Sequence, residues 1–115
     1  MANLVDFSSL NDMLYGDEQY IKEFAQAAII SFTEFKEHYK QHLKTKDEEK
    51  FRRAGHKIKP VAQMLGLQQI VDEYEHGKSL LWEEESDIKI QKSISKIDDI
   101  CSQVLSELEG MTSDQ

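Results

Sequence analysis

The stretch Phe51-Arg52-Arg53-Ala54-Gly55-His56-Lys57-Ile58-Lys59-Pro60-Val61-Ala62-Gln63-Met64-Leu65-Gly66 holds most of the residues that could do chemistry. His56 is its centre. A neutral imidazole nitrogen is a nucleophile near neutral pH, so a histidine held in the open can accept a group in transfer. Each residue of an α-helix turns the chain by about 100°. His56 therefore lies roughly 160° from Ile58, on the side away from an apolar stripe. Arg52, Arg53, Lys59 and Pro60 stand one turn from it, and Gln63 stands two turns on. Lys57 lies to one side. Cations in this arrangement attract an anionic group such as phosphoryl. The plainer alternative is a solvated helix face that happens to carry a histidine.

The remaining candidates are weaker. His38 and His42 are four apart and share a helix face, but no Glu follows at metalloprotease spacing and no third ligand is evident. No metal site is expected. A bundle enzyme with two metals would need Glu-x-x-His pairs, which are absent. His76 sits in a charged stretch and reads as exposed. Cys101 falls on an apolar stripe and reads as a buried thiol. Trp82 ends a helix and is expected to cover an edge of the fold. The acids Glu83 to Glu85 read as a solvated loop.

These residues must be held by helices. Ile21, Phe24, Ala25, Ala28, Phe32, Phe35, Tyr39 and Leu43 recur three or four apart and predict one helix over about 18–44, capped by Asp17. Val5, Leu10 and Leu14 predict a short helix or turn over one end of the core. A helix starting near Asp47, with Glu48 and Glu49 in its first turn, carries Phe51, Ala54, Gly55, Ile58, Ala62 and Leu65, and stops at Gly66. Leu67, Ile70, Val71, Tyr74, Gly77 and Leu81 make the next stripe. Ile90, Ile94, Ile97, Cys101, Val104, Leu105 and Leu108 make the last. The expectation is an all-α fold: an up-down-up-down four-helix bundle with a short extra N-terminal helix. Residues 1–110 form one domain and 111–115 a disordered tail.

Composition narrows the function classes. The 115 residues fit one small domain. With 14 Lys and Arg against 22 Asp and Glu the net charge is −8, which argues against general nucleic-acid binding. The single cysteine excludes an internal disulfide and a cysteine-based zinc site. One proline and five glycines are too few for an all-β fold built on tight turns. No apolar run reaches the ~20 residues of a membrane span. The opening Met-Ala-Asn-Leu-Val-Asp carries an acid where a signal peptide needs basic residues, so the expected location is cytoplasmic.

The run His56-Lys57-Ile58-Lys59-Pro60-Val61-Ala62-Gln63-Met64-Leu65-Gly66 resembles the motif of histidine phosphotransfer (HPt) domains of two-component phosphorelays. That motif reads His, any residue, an aliphatic, Lys, usually Gly, then Leu-Gly or similar about two turns on. His56, Ile58, Lys59, Leu65 and Gly66 fall on it. The specific match spans eleven residues, and the layout of helices around it is similar across nearly the whole chain. The resemblance implies a phosphoryl carrier without catalytic activity of its own. It implies His56 as phospho-acceptor and Lys59 as the cation on the phosphoryl oxygens. Arg52, Arg53 and Lys57 are lesser candidates for that role or for docking. The implied partner is a response-regulator receiver domain, or a hybrid histidine kinase, whose aspartate exchanges the phosphoryl group and whose own site holds Mg²⁺. No cofactor is expected on this chain.

Two positions depart from the family. Pro60 replaces the usual Gly, and Gln63 replaces a small residue that leaves room beside the imidazole. Proline removes the N–H that would bond the His56 carbonyl. A bend just after His56 is one expectation; the other is a boundary at Lys59, with Pro60 opening a new helix. Gln63 either bonds a phosphoryl oxygen or points into water. The rival reading from another class is a helical protein-interaction module, or a degenerate HPt fold that binds without phosphotransfer.

Overall fold

The computed structural model describes residues 3–112. Among them the regular structure is entirely helical. Five helices follow one another: α1 (Phe7–Met13), α2 (Glu18–Lys44), α3 (Glu48–Met64), α4 (Gln68–Trp82) and α5 (Asp87–Thr112). α2 packs against α3 and α5, and α4 packs against the same two, so each long helix has two long neighbours. The result is a helical bundle 46 Å long, close to the ~40 Å that 27 residues of α2 span at 1.5 Å each.

The starts and stops of the helices have local causes. Asp17 accepts from the backbone N–H groups of Gln19 and Tyr20 at 3.0 and 3.1 Å, and Asp47 accepts from that of Lys50 at 3.1 Å. Each cap satisfies donors that the first turn leaves free. α3 ends with the Leu67 N–H bonded to the Ala62 carbonyl (2.8 Å) and the Gly66 N–H to that of Gln63 (3.2 Å). This closure needs a left-handed residue, and Gly66 supplies it at φ +68°. A Cβ there would also come within 2.9 Å of the Asp6 Cβ. α1, α2 and α4 close in the same way, with Tyr15, Lys46 and Glu84 in the left-handed region.

The core follows the stripes. Ala25, Ala28, Phe32, Phe35, Tyr39 and Leu43 of α2 are buried, with Phe51, Ala54, Ile58 and Ala62 of α3, Ile70, Val71 and Tyr74 of α4, and Ile90, Ile94, Ile97, Val104 and Leu108 of α5. Each large apolar side chain removed from water contributes about 1.5–3 kcal/mol. Val5 and Leu10 close one end. Their segment is tied down by the Glu107 carboxylate, which accepts from the N–H groups of Leu4 and Val5, and by the Asp6 N–H bonded to the Leu65 carbonyl.

Several expectations need correction. Trp82 does not cover an edge: it is 77% exposed, and Leu80 rather than Leu81 fills the interior position beside it. The chain does not fray after Gly110, because α5 runs on to Thr112 and Met111 packs against the core. Residues 113–115 of the expected tail lie outside the described residues. α3 is one helix through Pro60, so Lys59 is not a helix boundary. The bundle interior is also not wholly apolar. The Tyr39 hydroxyl donates to the Glu73 carbonyl (2.9 Å) and lies 2.7 Å from Ser93 Oγ, which donates to Glu73 Oε2 at 2.6 Å. Lys96 Nζ reaches Glu73 Oε1 at 3.1 Å. These bonds let Glu73 and Ser93 occupy buried positions. No helix among the described residues is long and apolar enough to cross a membrane.

Candidate functional site

Phe51, Ala54, Ile58 and Ala62 anchor α3 in the core and turn the opposite face outward. His56 stands on that face, exposed, near the middle of the helix. Its ring makes no hydrogen bond, ion pair or ring contact with any described residue. Pro60 and Gln63 follow along the same ridge, both exposed. The Pro60 ring leaves the His56 carbonyl without its helical donor, and water can reach that carbonyl on this face.

One flank of the ridge faces α2. Lys57 and Arg53 line a groove there with His38, Gln41, His42 and Lys50. The His38 and His42 rings lie 5.5 Å apart. Burial, then the neighbouring His38, lowers the His42 pKa below the usual imidazole value. No group of three or more His, Cys, Asp or Glu among the described residues is arranged to hold a metal.

The other flank faces α4 and is more closely built. The Tyr74 ring lies directly against Gly55, where a Cβ would fall 2.0 Å from Tyr74 Cζ. Only a residue without a side chain admits the ring there. The Tyr74 hydroxyl donates to the Arg52 carbonyl at 3.3 Å. Burial raises the pKa of this phenol. Above the ring stand two ammonium groups, Lys59 Nζ at 5.6 Å and Lys78 Nζ at 5.3 Å from its centre. Glu75 joins them: Oε1 lies 2.9 Å from Lys59 and Oε2 lies 2.9 Å from Lys78. Hydrogen bonds from Lys59, then from Lys78, hold the Glu75 carboxyl below the usual carboxylate range.

The cations expected around His56 are therefore present but mostly engaged. Arg52 pairs with Glu48 at 3.3 Å and Arg53 with Glu49 at 2.9 Å, each reaching back one turn. Lys59 reaches across to α4. Lys57 has no acidic partner among the described residues. Gln63 makes no hydrogen bond there either, which leaves its amide in the solvent. The sequence puts His56, Lys59 and Gln63 on one ridge and Tyr74 on the inward stripe of α4, but gives no sign that Glu75 and Lys78 join Lys59 over the Tyr74 ring. An advance signal for the close approach of Tyr74 is Gly55, a glycine inside a helix stripe.

Comparisons with protein-family models, with curated proteins and with solved structures find no match for this chain.

Proposed function

We propose that this chain is a histidine phosphotransfer domain that exchanges a phosphoryl group between His56 and a receiver-domain aspartate. The observation that carries the reading is an exposed imidazole, without a partner among the described residues, near the middle of a helix, with Lys59 one turn on, inside a sequence that resembles the HPt motif. A bare ring nitrogen bonds phosphorus as the acyl phosphate P–O bond breaks. The aspartate carboxylate leaves with the electron pair, and the other ring nitrogen gives its proton to water. Phosphoryl transfer rests mainly on positioning and charge stabilisation. The partner's Mg²⁺ site supplies much of the latter, so the chain acts as a carrier and not as an enzyme.

The rest of the proposal follows the same resemblance. Turns of three or four residues between α2, α3, α4 and α5 favour antiparallel neighbours, and hence the up-down-up-down order. Lys59 steadies the phosphoryl oxygens. Arg52, Arg53, Lys57 and Gln63 serve docking, and the setting is the cytoplasm. His76 offers an internal comparison, because it is also exposed but has Asp72 one turn away on its own helix, and the lysines of its groove, Lys89, Lys92 and Lys96, stand across on α5. With phosphoramidate as donor, His56 takes phosphate before His76 does, and His56→Gln abolishes the faster reaction. Equal labelling of the two histidines would make His56 an ordinary surface residue and favour the reading as a binding module.

A further inference from the structure

The Lys59–Glu75–Lys78 bridge sits one helical turn from His56 and has a consequence for any phosphoryl group there. Lys59 is three residues beyond His56, a spacing that brings side chains together on a helix surface. Its ammonium is held by Glu75 Oε1 at 2.9 Å. A phosphoryl group on His56 brings close to two negative charges. Lys59 can then serve the carboxylate or the phosphoryl oxygens, and Glu75 is the competitor. Lys78 is bound to the other carboxylate oxygen at the same distance and stands over the same ring.

We infer that Glu75 is a positioning residue that competes with the phosphoryl group for Lys59, and that Lys78 is the cation that keeps Glu75 when Lys59 turns to His56. The inference rests on the phosphotransfer reading of His56. Physically it is an exchange of ion pairs across the α3–α4 seam. Before phosphorylation one carboxylate holds two ammonium groups. Afterwards Lys59 pairs with the phosphoryl group and Lys78 alone with Glu75. Glu75, Lys59 and Lys78 each keep an oppositely charged partner in either state, so the exchange costs the bridge little. The Tyr74 ring serves as a floor beneath both ammonium groups, and Gly55, the residue before His56, lets that floor lie against α3. All three side chains of the bridge are partly open to solvent, at 32%, 45% and 31%. They are thus free to exchange partners without unfolding anything.

The competition predicts opposite signs for two substitutions, which damage to the fold would not produce. Glu75→Gln frees Lys59 and lengthens the life of phosphohistidine, made with phosphoramidate, by about two- to fivefold, the range of a partly exposed ion pair. Lys78→Ala leaves Glu75 with Lys59 as its sole cation and shortens that life by a similar factor. Both effects vanish in a Lys59→Ala background. A lifetime unchanged by either substitution, or moved the same way by both, overturns the inference while leaving His56 as acceptor. A second arm needs no phosphate. In His56→Glu the new carboxylate draws Lys59 away, so the Glu75 titration midpoint, followed by side-chain NMR, rises toward the ordinary carboxylate value. An unmoved midpoint overturns the exchange. If the parent takes no phosphate from phosphoramidate or from receivers, the phosphotransfer reading fails and this arm alone decides whether the bridge exchanges.

Discussion

Gly55→Ala turns the contact behind His56 into a number. On a bare helix, glycine to alanine stabilises by about 1 kcal/mol, because alanine loses less backbone freedom on folding. The tertiary structure reverses the sign. The added Cβ would lie 2.0, 2.2 and 2.4 Å from Cζ, Cε1 and Cε2 of Tyr74, distances that no rotation of the methyl relieves. The ring or α3 must move. Its neighbours leave little room, since Tyr74 is buried and its ring lies 5.2 Å from that of Phe51. Overpacking of this kind costs about 1–3 kcal/mol and occasionally more. Displacing the ring also strains the hydroxyl bond to the Arg52 carbonyl, worth roughly 1 kcal/mol. After the helix gain is subtracted, a loss of about 2 kcal/mol remains, or a fall in Tm of about 8 °C for a domain of this size. Chemical denaturation of Gly55→Ala measures it. Tyr74→Ala supplies the control, because removing the ring removes the clash. In that background Gly55→Ala should be neutral or stabilising by up to about 1 kcal/mol. A rise in stability for Gly55→Ala in the otherwise unchanged protein would refute the placement of Tyr74 against α3.

Three further outcomes are expected. Ser93→Ala removes the hydroxyl between Tyr39 and Glu73 and leaves a buried carboxylate oxygen short of a donor, so it should cost about 1–3 kcal/mol by denaturant titration; a change under about 0.5 kcal/mol would count against the buried network. Glu84→Gly should stabilise by about 0.5–1 kcal/mol, because Glu84 sits at φ 52°, where an L-residue is strained by about 1–2 kcal/mol and glycine gives back part of the gain as backbone freedom. Burial pushes the Cys101 thiol up to about 12 from an ordinary 9.0, so the unfolded chain ionises first. The resulting contribution to stability is fully present below pH 9.0 and is lost as pH rises towards about 12. The stability difference between the parent and Cys101→Ala should drift in the parent's disfavour only above pH 9.0, and a drift between pH 6 and 8 would place the thiol elsewhere.

Much of the bundle is legible in the sequence because burial of a helix depends on its own period. The stripes of α2, α3 and α5 needed no knowledge of a partner helix. The caps at Asp17 and Asp47 are equally local, and so is the outward direction of His56, which is set by its angle from Ile58. What stays hidden is what depends on a second helix. Lys59 reads as a free cation until Glu75, sixteen residues on, arrives from α4. Glu73 falls on the stripe between Ile70 and Gly77, and its spacing places it inside. Its charge argues for the surface, and only Ser93 and Lys96 of α5 reconcile the two. Tyr15, Lys46 and Glu84 carry no glycine signal, because the closing hydrogen bonds at each helix end outweigh the strain of a left-handed residue. Pro60 is tolerated for a similar reason: Ile58 and Ala62 hold α3 to the core on either side of it.

The central claim is that His56 takes a phosphoryl group from a receiver domain. It is tested most directly by mixing the chain with Mg²⁺-loaded, phosphorylated receivers and locating the phosphate afterwards by ³¹P NMR and peptide mapping. An acid-labile phosphoryl group is expected on His56, absent in His56→Gln, and returning to unphosphorylated receiver when the carrier is isolated and mixed again. Pro60→Gly should stay within about tenfold of the parent, or about 1.4 kcal/mol in barrier, since His56 and Lys59 are unchanged. Receivers that bind the chain yet leave His56 unmodified, and that phosphorylate it only after Pro60→Gly, would contradict the claim and make this a bundle used for binding alone.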